Sequence, residues 1–530
     1  MNQRIKQLLA VAFLATSAGL DAKSLNYFAG KGFGNSMSRE LTNVSQAWKN
    51  EANDGWFGKF SVTGQYNQSF NNNKSNGLGA LMSFGGSTTN VMTVGGGTTA
   101  GTSFNIDGYQ LGLGNLADGS TAKMQLAPKL YQAGADFQLF VGSSQYEPGF
   151  YFKAKTAVGV ASVDPKLTES GTLSASTGYA ANTFAAAAAA DTTNNYKTMT
   201  AAFAGGKTIG TNYKSLANGL INGKQTTGAK VGDVELALGY NFVANDDYTV
   251  GLGVRGSLPT GNKPTGKYAL EPVFGRGGHW GLGGEAFVRA NLYSSEDGEK
   301  SVNFWMNGYA QHLFKADQTR SFDTITNAPG SRYMLVGRYK DNDTTVTSAQ
   351  SVLEFKNEVA NLINYSTLAC DTTVDVEGAV AVMFEYNCCN WNMGLGGEFW
   401  GASKEKLTIT GSLPTDLVIL GRQVVNDGAD RGYSQPNATM NSQGADANAE
   451  TTTIRLASRS ASKIKQSDLD TAGAANAARY SGKVFGNVGY AWTDSEYCPQ
   501  VSLTGEAEFG ASKTNTVSQW GVAVQGGICF

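Results

Sequence analysis

SQWGVAVQGGICF, residues 518–530, puts Trp520, Val522, Val524, Gly526, Ile528 and Phe530 on one face of an extended chain and small or polar residues on the other. A period of two marks a strand with one apolar face. KFSVTGQYNQSF, residues 59–70, repeats the pattern. Phe60, Val62, Gly64, Tyr66 and Phe70 alternate with Lys59, Ser61, Thr63, Gln65, Asn67 and Ser69, and Gln68 alone breaks the apolar side. Soluble sandwiches and membrane barrels both use such strands, so the rest of the chain must choose between them.

Twelve alternating segments follow the N-terminal region, near residues 57–71, 129–141, 149–161, 231–243, 248–258, 279–293, 300–314, 374–387, 391–402, 481–493, 499–511 and 518–530. Most have the roughly 9–11 residues that a tilted strand needs to cross a bilayer. Their connections alternate in length. Residues 142–148, 244–247, 294–299, 388–390 and 494–498 are tight links, whereas 72–128, 162–230, 259–278, 315–373 and 403–480 are long. The last connection, 512–517, is the exception, short on the long side. Membrane barrels have short periplasmic turns and long outer loops, and a soluble sandwich has no reason to sort loops by parity. The expected fold is all-β, a transmembrane antiparallel up-and-down barrel of about 12 strands, or 14 if 72–128 hides a hairpin around FNIDGYQLGLG.

Composition agrees. The chain has 67 Gly, 10 Pro and 11% aromatics, with 16% charged residues against a usual value of about 25%. MNQRIKQLLAVAFLATSAGLDAKS opens with Arg4 and Lys6, an apolar stretch from Leu8 to Ala15 and small residues before a cut after Ala22, so residues 1–22 read as a secretory signal peptide. Without them the formal charge moves from −2 to −3, which gives no basic excess for nucleic acid. No later run of 18 apolar residues exists to make a membrane helix.

The C-terminal strand, with Trp520, Val522, Val524, Ile528 and terminal Phe530, resembles the signal by which the assembly machinery recognises outer-membrane barrels. GDVELALGYNFVANDDYTVGLGVRGSLPTGN, residues 232–262, followed by GGHWGLGGEAF, resembles the strand pairs of FadL-type hydrocarbon transporters and their aromatic-degradation-pathway relatives. That resemblance implies uptake of hydrophobic small molecules through a barrel occluded by an N-terminal plug. Residues 23–56 are then either that plug or a periplasmic lead, and Leu41, Val44 and Trp48 fall on one helical face within them.

If apolar residues face lipid, the opposite faces line a lumen. The candidates there are Lys59, Asp136, Lys153, Lys155, Glu235, Arg255, Glu285, Arg289, Glu377, Glu385, Glu398, Glu506 and Glu508, with Asp233, Asp375 and Lys483 counted beside them. Ten are acidic and six basic, so mild cation preference is expected if the pore is open. Pairing of the same charges across the lumen, stiffening the wall, is the other reading.

Motifs for chemistry fail on inspection. GLGVRG at 251–256 matches a dinucleotide loop but runs into SLPTG rather than a helix, and GGKT at 205–208 lacks the first glycine of a phosphate loop. His279 and His312 are the only histidines, too few for a histidine-rich metal site. No catalytic residue, cofactor or metal is expected. FAAAAAA at 184–190 reads as a short loop helix or a flexible tract, and SVLEFKNEVANLINY at 351–365 reads as a loop helix. Cys498 and Cys529 fall on the same rim of neighbouring strands and are expected to form a disulfide, while Cys388 and Cys389 are adjacent in another turn.

These readings predict a Gram-negative outer-membrane channel for passive diffusion of small solutes. Its partners are membrane lipid, the assembly machinery and the solutes, with homo-oligomerisation left open. Uptake of hydrophobic molecules is the alternative, as is a surface protein whose long loops bind another cell while the barrel anchors them.

Overall fold

The computed structural model describes residues 31–32, 34–49, 55–70, 78–96, 104–117, 119–177, 195–206, 212–341, 353–421, 433–434, 438–440, 463–495, 497–510 and 516–530. Residues 1–22, expected to be a signal peptide, and the alanine run at 184–190 lie outside these residues.

Twelve strands form a closed sheet: β1 Phe57–Ser69, β2 Lys129–Gly142, β3 Gly149–Asp164, β4 Val234–Ala244, β5 Tyr248–Leu258 and β6 Gly281–Ser294, then β7 Lys300–Ser321, β8 Thr367–Cys388, β9 Trp391–Ala402, β10 Arg479–Ala491, β11 Gln500–Gly510 and β12 Gln519–Cys529. Each pairs antiparallel with its neighbours in the chain, and β12 returns to β1 in a register running from Lys59 opposite Cys529 to Ser69 opposite Gln519. Closure leaves no unpaired edge, which an apolar solvent would penalise. Beyond the last strand, Gly58 N donates to Phe530 O at 2.8 Å and Phe530 N returns a bond to Gly58 O at 3.1 Å.

Burial along these strands is inverted relative to a soluble protein. On β1, Lys59, Ser61, Thr63, Gln65 and Asn67 are buried, while Phe60 and Val62 are exposed. Leu395 on β9 is 70% exposed and Lys59 is 0% exposed. Such a band of outward Leu, Val, Phe and Tyr is stable only against lipid. Trp391, Trp492 and Phe530 sit exposed at strand ends, where a girdle belongs.

Residues 104–114 add no barrel hairpin. Ile106–Asp107 pairs with Val91–Gly95, and Asp107 then caps a single 3-10 turn by accepting from Tyr109 N at 3.0 Å. The barrel has 12 strands, not 14.

On the long-loop side, β7 and β8 run to 22 residues each and carry a cap. There Leu335–Asp341 pairs with Leu353–Asn361 and Leu417–Gly421, and Val91–Gly95 pairs with Thr121–Gln125. The cap has its own apolar core, in which Phe84 stacks on Tyr333 at 5.5 Å among Met92, Leu335, Val359 and Leu417. Residues 353–361 therefore form a strand rather than the helix expected from propensity, because pairing partners are available on the cap sheet. Among its described residues, only the end of that stretch is helical, in the short helix Ile363–Ser366.

The expected disulfide is not formed. Cys498 and Cys529 share a buried cluster with Ala491, but both thiols are free. Cys529 Sγ points at Gln46 O (3.6 Å) and accepts from Gln500 Nε2 (3.0 Å). Cys388 and Cys389 are also unbridged, with sulfurs 3.8 Å apart.

Candidate functional site: the lumen and the helix inside it

MSRELTNVSQA, helix α1 (Met37–Ala47), is mostly polar, yet all eleven residues are buried. Its surroundings explain this: α1 sits inside the barrel, between walls lined by the inward faces of the strands. Met37, Leu41 and Val44 belong to one apolar cluster with Phe57, Phe140, Tyr151, Phe287 and Trp305. Trp48, one residue past the helix, lies 4.8 Å from Phe57, 5.4 Å from Phe140, 5.6 Å from Phe287 and 5.5 Å from Trp305, measured between ring centres. The stripe Leu41, Val44 and Trp48 is thus an aromatic anchor toward the short-turn side.

The polar face meets charge. Glu40 accepts from Arg255 Nη1 and Nη2 at 3.0 Å each, and pairs with Lys155 at 2.9 Å and Lys153 at 3.5 Å. Arg39 bridges Asp136 (2.8 Å) and Glu506 (3.0 Å). At the start of the helix, where backbone N–H groups lack partners, Ser38 N donates to Glu398 at 3.0 Å. Farther along, Ser45 Oγ donates to Glu385 at 3.3 Å, Ser61 Oγ donates to Asn43 at 2.6 Å, and Lys59 Nζ bonds Gln46.

Most of the remaining wall charges are engaged as well. Glu285 joins Lys153 at 3.0 Å and Arg255 at 3.1 Å, Glu235 joins Arg255 and Arg276, and Lys483 joins Glu506 at 3.0 Å. Glu377 accepts from Arg276 at 2.7 Å and from Tyr309 OH at 3.1 Å. Glu508 accepts from Ser481 and Gln519, and Arg289 lies over the Trp305 ring at 5.9 Å.

Asp375 does not face the lumen. A register shift between Gln311 and Leu313 opposes one residue of β7 to two of β8, turning Asp375 outward to pair with Lys406 while Glu377 stays inside. Sequence reasoning also missed Arg39, Glu40 and Arg276. All three lie outside the alternating strands, so the period-two pattern carries no signal for them.

Asp233 lies just before β4, outside the membrane-spanning strands. It accepts from Arg276 N at 2.7 Å and Gly261 N at 3.3 Å, which ties the loop 259–278 down onto the barrel. Burial pushes its carboxyl up to about 6, against the opposing pull of Arg276. Among the described residues, no cluster of His, Cys, Asp and Glu is arranged to hold a metal ion.

An apolar exterior, a charged interior and a closed antiparallel wall define a transmembrane β-barrel of the outer-membrane type. No family model and no curated protein matches the chain. Among solved structures it is similar to an outer membrane channel from Pseudomonas putida F1, at 9% identity and TM-score 0.35 over 91% of this chain and 97% of that one. It is also similar to the Pseudomonas putida toluene transporter TodX (8%, TM-score 0.31, 96% and 97%) and to a Pseudomonas aeruginosa FadL homologue (10%, TM-score 0.25, 95% and 98%). Likeness at this level assigns no function.

Proposed function

We propose that this protein is an outer-membrane uptake channel closed at rest by its own N-terminal segment, with the short turns in the periplasm and the cap outside. The observation that carries the reading is α1 itself, wholly buried in the lumen and held by ion pairs from Glu40 and Arg39 to several strands. Passage of a solute then requires α1 to shift or leave.

This favours selective uptake, of the kind the FadL-type resemblance implies, over an open porin. The inward charges that would bias an open pore toward cations are engaged with one another and with α1, which supports the wall-stiffening reading. The apolar cluster around Trp48 would give a hydrophobic solute a surface to cross once the helix moves.

The test is conductance in a planar bilayer, comparing the mature chain with a variant lacking residues 23–49. Silence in the first and steady current in the second is expected. Equal steady current in both would restore the open porin, and cation-biased reversal would then restore its selectivity. Silence in both would leave the barrel as an anchor for its cap.

A further inference from the structure

Above α1, at the long-loop end of the lumen, the wall and the loop 259–278 line a partly open cavity of about 70 Å³. The hydrogen bonding of its lining is one-sided. Arg479, 7% exposed, has no acceptor for Nε or Nη1 and no ion pair among the described residues. Arg276 Nη2 and Trp400 Nε1, both in the same lining, also lack acceptors among the described residues. Lys31 Nζ, in contrast, is ion-paired with Glu398.

The four carboxylates of the same cavity, among the described residues, each accept at least one hydrogen bond. Glu377 is held by Arg276 at 2.7 Å, Glu405 by Arg320 at 2.9 Å and by Asn476 N at 2.9 Å. Glu508 accepts from Ser481 at 2.5 Å and Gln519 at 2.9 Å, and Glu271 accepts from Gly266 N at 2.9 Å. A cation entering this space would find its carboxylates occupied, whereas an anion would find donors with nothing to donate to. Buried donors without acceptors cost free energy that a ligand can recover.

We propose that this cavity binds a small organic carboxylate, its oxygens taken by Arg479 with help from Arg276 and Trp400. Arg479 lies over the Trp400 ring at 5.9 Å, and Trp400, Leu313 and Val374 give the lining an apolar part that an apolar body beside the carboxylate could meet. A guanidinium fork suits a planar carboxylate, and charge-assisted bonds of this kind are about twice as strong as neutral ones. The inference deepens the uptake reading by naming a substrate class, and it rests on that reading only for the idea that the ligand travels onward.

Benzoate and its neutral counterpart benzyl alcohol test it, by calorimetric titration of the full mature chain refolded in detergent. Benzoate is expected to bind at least ten-fold more tightly than benzyl alcohol. Arg479→Gln should lower benzoate affinity at least ten-fold and leave benzyl alcohol unchanged, and Trp400→Phe should lower benzoate affinity several-fold. Equal binding of the two compounds by the unmutated chain overturns the proposal without recourse to any variant. Because binding in detergent needs no conduction, a current on truncation with no benzoate preference removes the carboxylate site alone. Benzoate preference without current removes the transport reading alone.

Discussion

Glu40 of α1 and Arg255 of β5 meet through two parallel hydrogen bonds, Nη1 to Oε1 and Nη2 to Oε2, each 3.0 Å long, between residues 215 positions apart in the chain. Around them Glu235 and Glu285 face Lys153, Lys155 and Arg255, so the wall alone has two acids for three bases, and Glu40 supplies the third. The helix completes the neutrality of the site that holds it.

Glu40→Gln should therefore unseat α1. Removing one partner of a buried ion pair costs about 3–5 kcal/mol, because the charges left behind cannot recruit water. In a bilayer the variant should show bursts of current where the unmutated chain is silent. Silence indistinguishable from the unmutated chain would mean that the ion pairs do not hold the closed state.

Trp48→Ala attacks the other end of the same seat. Its half-buried ring meets four aromatic side chains within 5.6 Å, and since truncating a fully buried aromatic costs about 3–5 kcal/mol, this change should cost less than that. Arg39 is 5% exposed, so trypsin should spare it in the unmutated protein and cleave after it in Trp48→Ala. Equal protection in both would show that the aromatic anchor is dispensable.

The barrel was legible because its strands share one dominant pattern, apolar outward and mostly polar inward, which survives in a single sequence despite inward aromatics such as Phe140 and Trp305. All twelve strands appear near their expected positions. The rule breaks where β7 and β8 change register, and Asp375 was misplaced there. The cap was not legible. Its strands, such as Leu353–Asn361, are short and chosen by partners from other loops, so local propensity points the wrong way. Arg39, Glu40 and Arg479 gain meaning only from residues far away in sequence, and no spacing announces them.

Asp233 predicts a pH dependence. The folded chain holds its proton up to about pH 6, whereas an unfolded aspartate releases it near pH 4. A raised acid favours the folded state fully below about pH 4, and this contribution is lost as pH rises through 6. Two units amount to about 3 kcal/mol. The stability of the unmutated chain relative to Asp233→Asn should fall between pH 4 and 6 and stay level above, as read from urea midpoints at each pH. Parallel curves would contradict the burial of a protonated carboxyl.

The thiols give a second readout of the fold. Cys389 is exposed, whereas Cys370, Cys498 and Cys529 are buried and unbridged. A water-soluble maleimide should modify Cys389 first in the folded protein and reach the buried three only after denaturation. Early modification of Cys529 would mean that Gln46 and α1 do not cover it.

Leu395 separates a membrane wall from a soluble one. It is 70% exposed on β9, opposite Phe384 of β8 and Gly486 of β10. In water, replacing an exposed leucine by arginine changes stability by about 0.5 kcal/mol or less. In lipid the same change costs about 2–4 kcal/mol at mid-bilayer depth and about 0–1 kcal/mol near the interface. Leu395→Arg should therefore lower the urea midpoint in phosphatidylcholine vesicles far more than Trp391→Arg at the strand end, where the side chain can reach headgroups. Equal, small effects would place this face in water, and the inverted burial of the barrel would then need another explanation than lipid.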